Sequence, residues 1–323
     1  MLLITRFKFW LLASLLLCYI VGVVILSAVS LHGFKKANYE QGIKPSIPDR
    51  AVSHQRVQPG RDSKYNFDYS AGAFRPVLKK SKIQWCSELQ YMHPDEDLEL
   101  DKKPVALVSF PGSGNTWLRY LLQQATGYYT GSVYKDYGLL KNGFPAESIT
   151  NNSVLVVKTH EWGTNARNMF SKAILLVRSP EKAIHAEFNR QSGGHIGFAS
   201  PDRYRRTNGK YWQQFVYDKL HGWQQLNMDW LYNFTGSTHV IFYEQLVDKT
   251  EHTLKSVINF LGVFVPAKKF SCAIERKEGI YRRKRRILNF DPFTTEMRAQ
   301  IKSVQEKVYD AIYKTAAPEK RKR

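Results

Sequence analysis

The chain has 323 residues, with 48 Lys and Arg against 28 Asp and Glu, a formal net charge of +20 and an ordinary 43% hydrophobic content. This length accommodates one large α/β domain plus a leader. The charge points to an anionic ligand, an anionic acceptor, nucleic acid or an acidic membrane surface. Only three cysteines are present, and no C-x-x-C or His/Cys cluster has zinc-binding spacing.

Residues 1–8 form a short tail, expected to be cytoplasmic. The segment from Phe9 to Val29 (FWLLASLLLCYIVGVVILSAV) carries no charge, and as a helix of about 30 Å it spans a bilayer. It exceeds the apolar core of a cleaved signal peptide, although Ala28-Val29-Ser30 resembles a cleavage site. Basic residues flank the run on both sides, so charge alone does not orient it. The short tail fits a single-pass type II anchor. Residues 30–102 mix Pro, Gly, Ser and charged residues and read as a stem, with Ile83–Tyr91 as an apolar stretch suited to docking on the body. Two sequons, at Asn151 and Asn233, suit a luminal body. The span and sequons argue against nucleic acid as the partner, and no recognisable DNA or RNA module is present. For Cys86 and Cys272, either a disulfide or two buried thiols fits.

The body, residues 103–315, alternates apolar β-like runs (Val105–Phe110, Val154–Val157, Ala173–Val177, His239–Tyr243) with helical patterns (Thr116–Thr126, Glu181–Gln191, Tyr211–Tyr232, Thr250–Leu261). This order predicts a parallel sheet covered on both faces, with ligands at the C-terminal strand ends. Gly193–Lys210 reads as a long polar loop, an acceptor-side lid, and Thr294–Tyr313 as a closing helix. Residues 316–323 form a basic tail.

The first strand runs into Pro111-Gly112-Ser113-Gly114-Asn115-Thr116-Trp117. Glycines let the main chain approach an anion, and the following helix aims free N–H groups at the same spot. Ser113, Asn115 and Thr116 add side-chain donors. No lysine follows the glycines, so the loop is not a Walker A motif and an ordinary ATPase or GTPase is disfavoured. VLVVKTH ends a strand with Lys158 and His160 on one face, a cation and a base. AILLVRSP ends another strand with Arg178, suited to a phosphate oxygen or an acidic neighbour. In HVIFYEQL, Tyr243 is placed to stack on a base or to pack in the core. Lys268–Arg286 holds nine basic residues, among them Arg276 and Lys277, as a solvated patch or a cover over a nucleotide phosphate.

Taken in order, these motifs resemble those of the sulfotransferases that use 3′-phosphoadenylyl sulfate (PAPS). The resemblance spans Lys103 to Tyr313. P-x-S-G-x-T-W at Pro111–Trp117 looks like the 5′-phosphosulfate loop, K-T-H at Lys158–His160 like the catalytic lysine and histidine, and R-x-P at Arg178–Pro180 like the start of the 3′-phosphate segment. Y-E-x-L at Tyr243–Leu246 and F-L-G at Phe260–Gly262 follow in order. With FPGSGNTWLR, LLVRSP and AEFNR, the chain looks most like the WSC-domain-containing (WSCD) sulfotransferase family, which includes sialic-acid O-sulfotransferases, without the cysteine-rich WSC modules.

The resemblance implies a three-layer parallel α/β sheet of the P-loop NTPase-like sulfotransferase type. It also implies transfer of a sulfuryl group from PAPS to a hydroxyl of a glycan, sialylated ones included, or of a glycoprotein, at the Golgi membrane with no metal. His160 is the expected base, with Glu161 and Glu187 as alternatives. Lys158 and the loop amides stabilise charge, while Pro111–Trp117, Arg178, Tyr243, Arg276 and Lys277 hold the nucleotide. Two departures stand out. Cytosolic members carry a lysine where this chain has Gly112, so Arg119, Lys158 or the late basic cluster must compensate. They also carry a serine where this chain has Ala186, beside His185. R-K-G matches only approximately at Arg276-Lys277-Glu278-Gly279. The competing expectation is an inactive homologue that binds nucleotide or an anionic glycan.

Overall fold

In the computed structural model, residues 83–93, 103–281 and 288–316 are described. The expected anchor at 9–29, the rest of the stem and most of the basic tail lie outside them. Along the chain the elements are β1 (Val105–Ser109), α1 (Asn115–Thr126), β2 (Gly131–Ser132), α2 (Tyr137–Lys141), β3 (Val157–Thr159), α3 (Thr164–Arg167), β4 (Lys172–Val177) and α4 (Pro180–Gly193). Then follow α5 (Pro201–Arg205), α6 (Lys210–Tyr232), β5 (Ser237–Phe242), α7 (Tyr243–Asp248), α8 (Thr250–Leu261), α9 (Ala267–Glu275) and α10 (Thr295–Ala316).

All strand pairs are parallel, in the order β2-β3-β1-β4-β5. Alternation along the strands divides the core between two faces. Ala106, Val108, Ala173, Leu175 and Val177 pack with residues of α4, α6 and α10. Leu107, Ile174 and Leu176 pack with residues of α1, α8 and α9. Helices therefore cover both sides of the sheet, as the apolar runs require. The chain leaves β1 toward one side of the sheet and returns through β4 on the other. The switch point thus lies at the C-terminal end of β1, flanked by the ends of β3 and β4, where a ligand crevice forms in such sheets.

Strand β3 lies further along than its apolar run indicates. Residues 155 and 156 pair with the 129–131 segment instead, Leu155 N–H donating to Tyr129 O at 2.9 Å and Gly131 N–H to Val156 O at 2.8 Å. The regular strand thus begins at Val157 and draws Lys158 and Thr159 inside. Strand β2 is Gly-Ser and carries no hydropathy signal. Gly131 is required there, because a Cβ would lie 2.1 Å from Ile149 O. The expected polar loop after Gly193 contains α5 and is anchored by buried Ala199 and Tyr204.

The apolar end of the stem is seated on the body. Cys86 and Cys272 form a disulfide, with Cα atoms 5.9 Å apart. Gln124 receives the Cys86 N–H at 2.8 Å and donates to Gln84 O at 3.1 Å. Gln90 exchanges backbone bonds with Gly127 and Tyr129. This strap lies along α1 and α9, the layer behind the glycine loop.

Arg119 and Glu147 are both 0% exposed and joined at 2.9 Å. Arg119 also donates to Thr130 Oγ1 and Thr130 O, and its guanidinium lies 4.3 Å from the Phe144 ring centroid. Breaking such a pair leaves a buried charge alone. Glu147→Gln is expected to lower unfolding free energy by about 3–5 kcal/mol in urea titration, and Arg119→Met with Glu147→Leu to recover much of that loss. An unchanged midpoint in Glu147→Gln would contradict this role.

Candidate functional site

The loop between β1 and α1 is shaped by two left-handed glycines, Gly112 at φ +83° and Gly114 at φ +96°. A Cβ on Gly112 would stand 2.4 Å from Ala183 O and 2.9 Å from Glu187 N, so the loop lies directly on α4. On Gly114 it would meet the Tyr243 ring at 2.5 Å. Helix α1 begins with no side-chain cap, which leaves its first amides and its positive end to an outside partner. Ser113 is 1% exposed, and its Oγ has no hydrogen-bond partner among the described residues. A buried, unsatisfied hydroxyl beside an open helix start fits an anionic ligand.

Not every expected donor faces that seat. Asn115 Nδ2 donates back into the sheet, to Leu107 O at 3.0 Å and Ser109 Oγ at 3.2 Å. Ser113 N–H closes the turn on Phe110 O at 3.1 Å. Arg119, a candidate substitute for the missing lysine, is committed to Glu147 on another side of α1. Thr116 stays half-exposed at the helix start.

At the end of β4, Arg178 Nη1 donates to Gly112 O at 2.7 Å, and its guanidinium lies 4.2 Å from the centroid of the Tyr243 ring. Its Nε is buried and has no partner among the described residues. Arg178 therefore braces the loop while one N–H remains unsatisfied. Trp117 packs edge-on to Tyr243 at 5.9 Å and donates its indole N–H to Lys277 O at 2.7 Å. Tyr120 donates to Arg276 O at 2.8 Å. The Arg276 side chain turns to the strap, donating to Gln84 O and Trp85 O at 3.0 and 3.1 Å. The late basic segment is thus held on α1 through its backbone, with Lys277 half-buried beside it.

At the end of β3, His160 Nδ1 lies 2.6 Å from Ser109 O. A carbonyl only accepts, so the Nδ1 proton is fixed there and Nε2 is left as the basic nitrogen. Tyr134, just past β2, joins His160 to Lys158. Its hydroxyl accepts the His160 N–H at 3.0 Å, its ring stacks on the imidazole at 5.7 Å, and Lys158 Nζ lies 5.6 Å from its centroid. No local sequence signal marks Tyr134, because it meets His160 across the sheet edge.

The electrostatics keep the imidazole neutral. Burial, then the charge of Lys158, pushes His160 well below its usual range, outweighing the bond to Ser109 O. Burial is also the main cause that lowers Lys158, to about 8, with Arg119 adding to it. Among the described residues Lys158 makes no ion pair. Arg190 acts on both groups as a nearby charge. The buried Glu187 carboxylate holds it in a fork, at 2.6 and 2.7 Å. Glu187 also accepts from Gln191, and Glu161 is exposed. The two alternative bases are therefore a clamped carboxylate and a solvated one.

Fold and site define a parallel α/β protein with an uncapped glycine loop after its first strand and a histidine and a buried lysine at the adjacent strand end. The chain belongs to the WSCD family. It is 51% identical to a WSCD family member of Aedes aegypti over 93% of this chain and 95% of that one. It is 57% identical to one of Drosophila melanogaster over 72% and 80%. No family model matches. Similar solved structures include a mouse sulfotransferase complexed with PAP (16% identity, 67% of this chain and 89% of that one, TM-score 0.42). Another is the sulfotransferase domain of a Synechococcus olefin synthase (16%, 73% and 99%, TM-score 0.34).

The space around Gly112 explains why this chain lacks a lysine there. Gly112→Lys is expected to destabilise rather than improve the site. The left-handed backbone alone costs about 1–3 kcal/mol, and the collision with α4 adds to it. A urea midpoint equal to that of the parent would contradict this packing.

Proposed function

We propose that the protein is a sulfotransferase, anchored in the Golgi membrane by residues 9–29. It moves a sulfuryl group from PAPS to a hydroxyl of a glycan, sialylated acceptors included, or of a glycoprotein. The observation that carries this reading is His160, whose Nδ1 is held on Ser109 O, beside Lys158, which makes no ion pair among the described residues, and one strand from the open loop. The order of the loop, K-T-H and R-x-P motifs adds support. Both sequon asparagines are exposed, which suits N-glycans on a luminal body.

The residues fit an anionic donor through the unsatisfied Ser113 Oγ and Arg178 Nε and the uncapped amides of α1. Gly112, Ser113, Gly114 and Thr116 would hold the phosphosulfate end. Arg178, with Tyr243 behind it, Trp117 and Lys277 would frame the nucleotide side. Bound PAPS supplies the activated sulfuryl group and leaves as 3′-phosphoadenosine 5′-phosphate (PAP). His160 Nε2 takes the proton of the acceptor hydroxyl as its oxygen attacks. Lys158 offsets the charge that develops on the transferring and leaving oxygens. Such transfer needs mainly positioning and electrostatics.

With labelled PAPS and complex N-glycans, the wild-type chain is expected to transfer label, and His160→Ala to lose at least about 100-fold while still binding PAP. Full turnover by His160→Ala would remove it as the base.

The pH dependence follows from the two shifts. His160, lowered below its usual range, stays neutral into mildly acidic solution. Lys158 is cationic below about 8 and loses its charge above. The rate is therefore expected to hold between pH 6.5 and 7.5 and to fall through about 8. Lys158→Arg, cationic throughout, is expected to move that alkaline limb upward. An unmoved limb would assign it to another group.

A further inference from the structure

We infer that Trp162 is an acceptor-binding residue, a stacking platform for a sugar ring beside the proposed base. The inference rests on the sulfotransferase reading of the site and adds to it the residue that grips the acceptor. Trp162 lies two positions after His160 and is 48% exposed. It is the one exposed tryptophan among the described residues. An exposed indole forgoes the burial that large aromatic side chains normally find.

The backbone that carries it is fixed on both sides. Glu161 N–H donates to Thr159 Oγ1 at 3.1 Å, and Glu161 O accepts the buried Trp230 indole N–H at 2.8 Å. Gly163, at φ +94°, donates its N–H to Asp229 Oδ2 at 2.7 Å. Asp229 is itself paired with Arg167. An exposed ring on a clamped segment loses little freedom on binding, which is how rigid aromatic anchors gain affinity.

The ring also lies against α6, at a position that Phe110 borders as well. A Cβ built on Gly222 of α6 would meet Trp162 and Phe110 at 3.9 Å each. Trp162 and Phe110, the residue that opens the glycine loop, thus both border Gly222. A sugar ring laid on an indole presents its C–H face to the aromatic and its hydroxyls at the ring edge. From that position a hydroxyl comes within reach of the neighbouring His160.

The test uses the full chain in detergent, with labelled PAPS and a sialylated and a desialylated complex N-glycan. PAP affinity is measured in parallel by calorimetry. Trp162→Ala is expected to raise the acceptor KM roughly tenfold while leaving kcat and PAP affinity unchanged. Trp162→Phe, which keeps an aromatic face, is expected to recover part of the loss. An unchanged acceptor KM in Trp162→Ala, with transfer and PAP binding intact, overturns the platform and leaves the sulfotransferase reading standing. Parallel losses of acceptor and PAP affinity overturn it as well, since they mark damage to the fold. A wild-type chain that binds PAP but transfers nothing, or does not bind PAP, overturns both.

Discussion

Gly112 rests against the backbone of α4 with no room for a side chain, and much of the site follows from that contact. It sets how the loop leaves β1, and so where the uncapped start of α1 opens. Arg178 then ties the Gly112 carbonyl to the end of β4, and Tyr243 fills the space over Gly114. Three elements thus define one short loop. The loop follows directly on Phe110, which borders Gly222 of α6, as Trp162 does. Glycine at this position is therefore a packing requirement.

Lys158 lies on the adjacent strand. Among the described residues Lys158 is buried with no ion pair, with Glu147 and Asp136 acting on it only as nearby charges, and Arg190 is held close by Glu187. Keeping an amine at a pKa of about 8 rather than 10.5 costs roughly 3 kcal/mol of folding stability at neutral pH. The unfolded chain holds that proton more tightly, so this group's contribution to stability improves as pH rises from about 8 to 10.5. A buried cation beside an imidazole whose tautomer is fixed is the kind of arrangement found where proteins handle anions, and it is the basis of the proposed function. Behind this site the Cys86–Cys272 bridge and Arg276 lock the strap to α1 and α9.

The sheet and its long helices were legible because their signals are local. Helix α8 matches its amphipathic pattern at both ends, closed by the left-handed Gly262, and β1, β4 and β5 fall within two residues of their apolar runs. Strand β2 was not legible, since two small residues carry no pattern and their pairing is set by the sheet edge. The loop, Lys158, His160 and Arg178 stood out as chemistry-bearing residues at strand ends. Their partners did not. Tyr134, Glu147 and Arg190 act through contacts between segments distant in sequence or through a helix face that reads as ordinary surface. The sequence also left open which cations serve a ligand. Arg119 and Arg276 look equivalent to Arg178 in the chain, yet one is paired inside the core and the other is spent on the strap.

Calorimetric titration of the disulfide-intact full chain with PAP tests the central claim most directly. The account predicts micromolar binding at one site, weakened at least tenfold by Arg178→Ala and by Gly114→Ala, whose Cβ would displace Tyr243. A folded chain that gives no heat with PAP would contradict it, because the open helix start and the unsatisfied Ser113 and Arg178 groups would then serve some other anion.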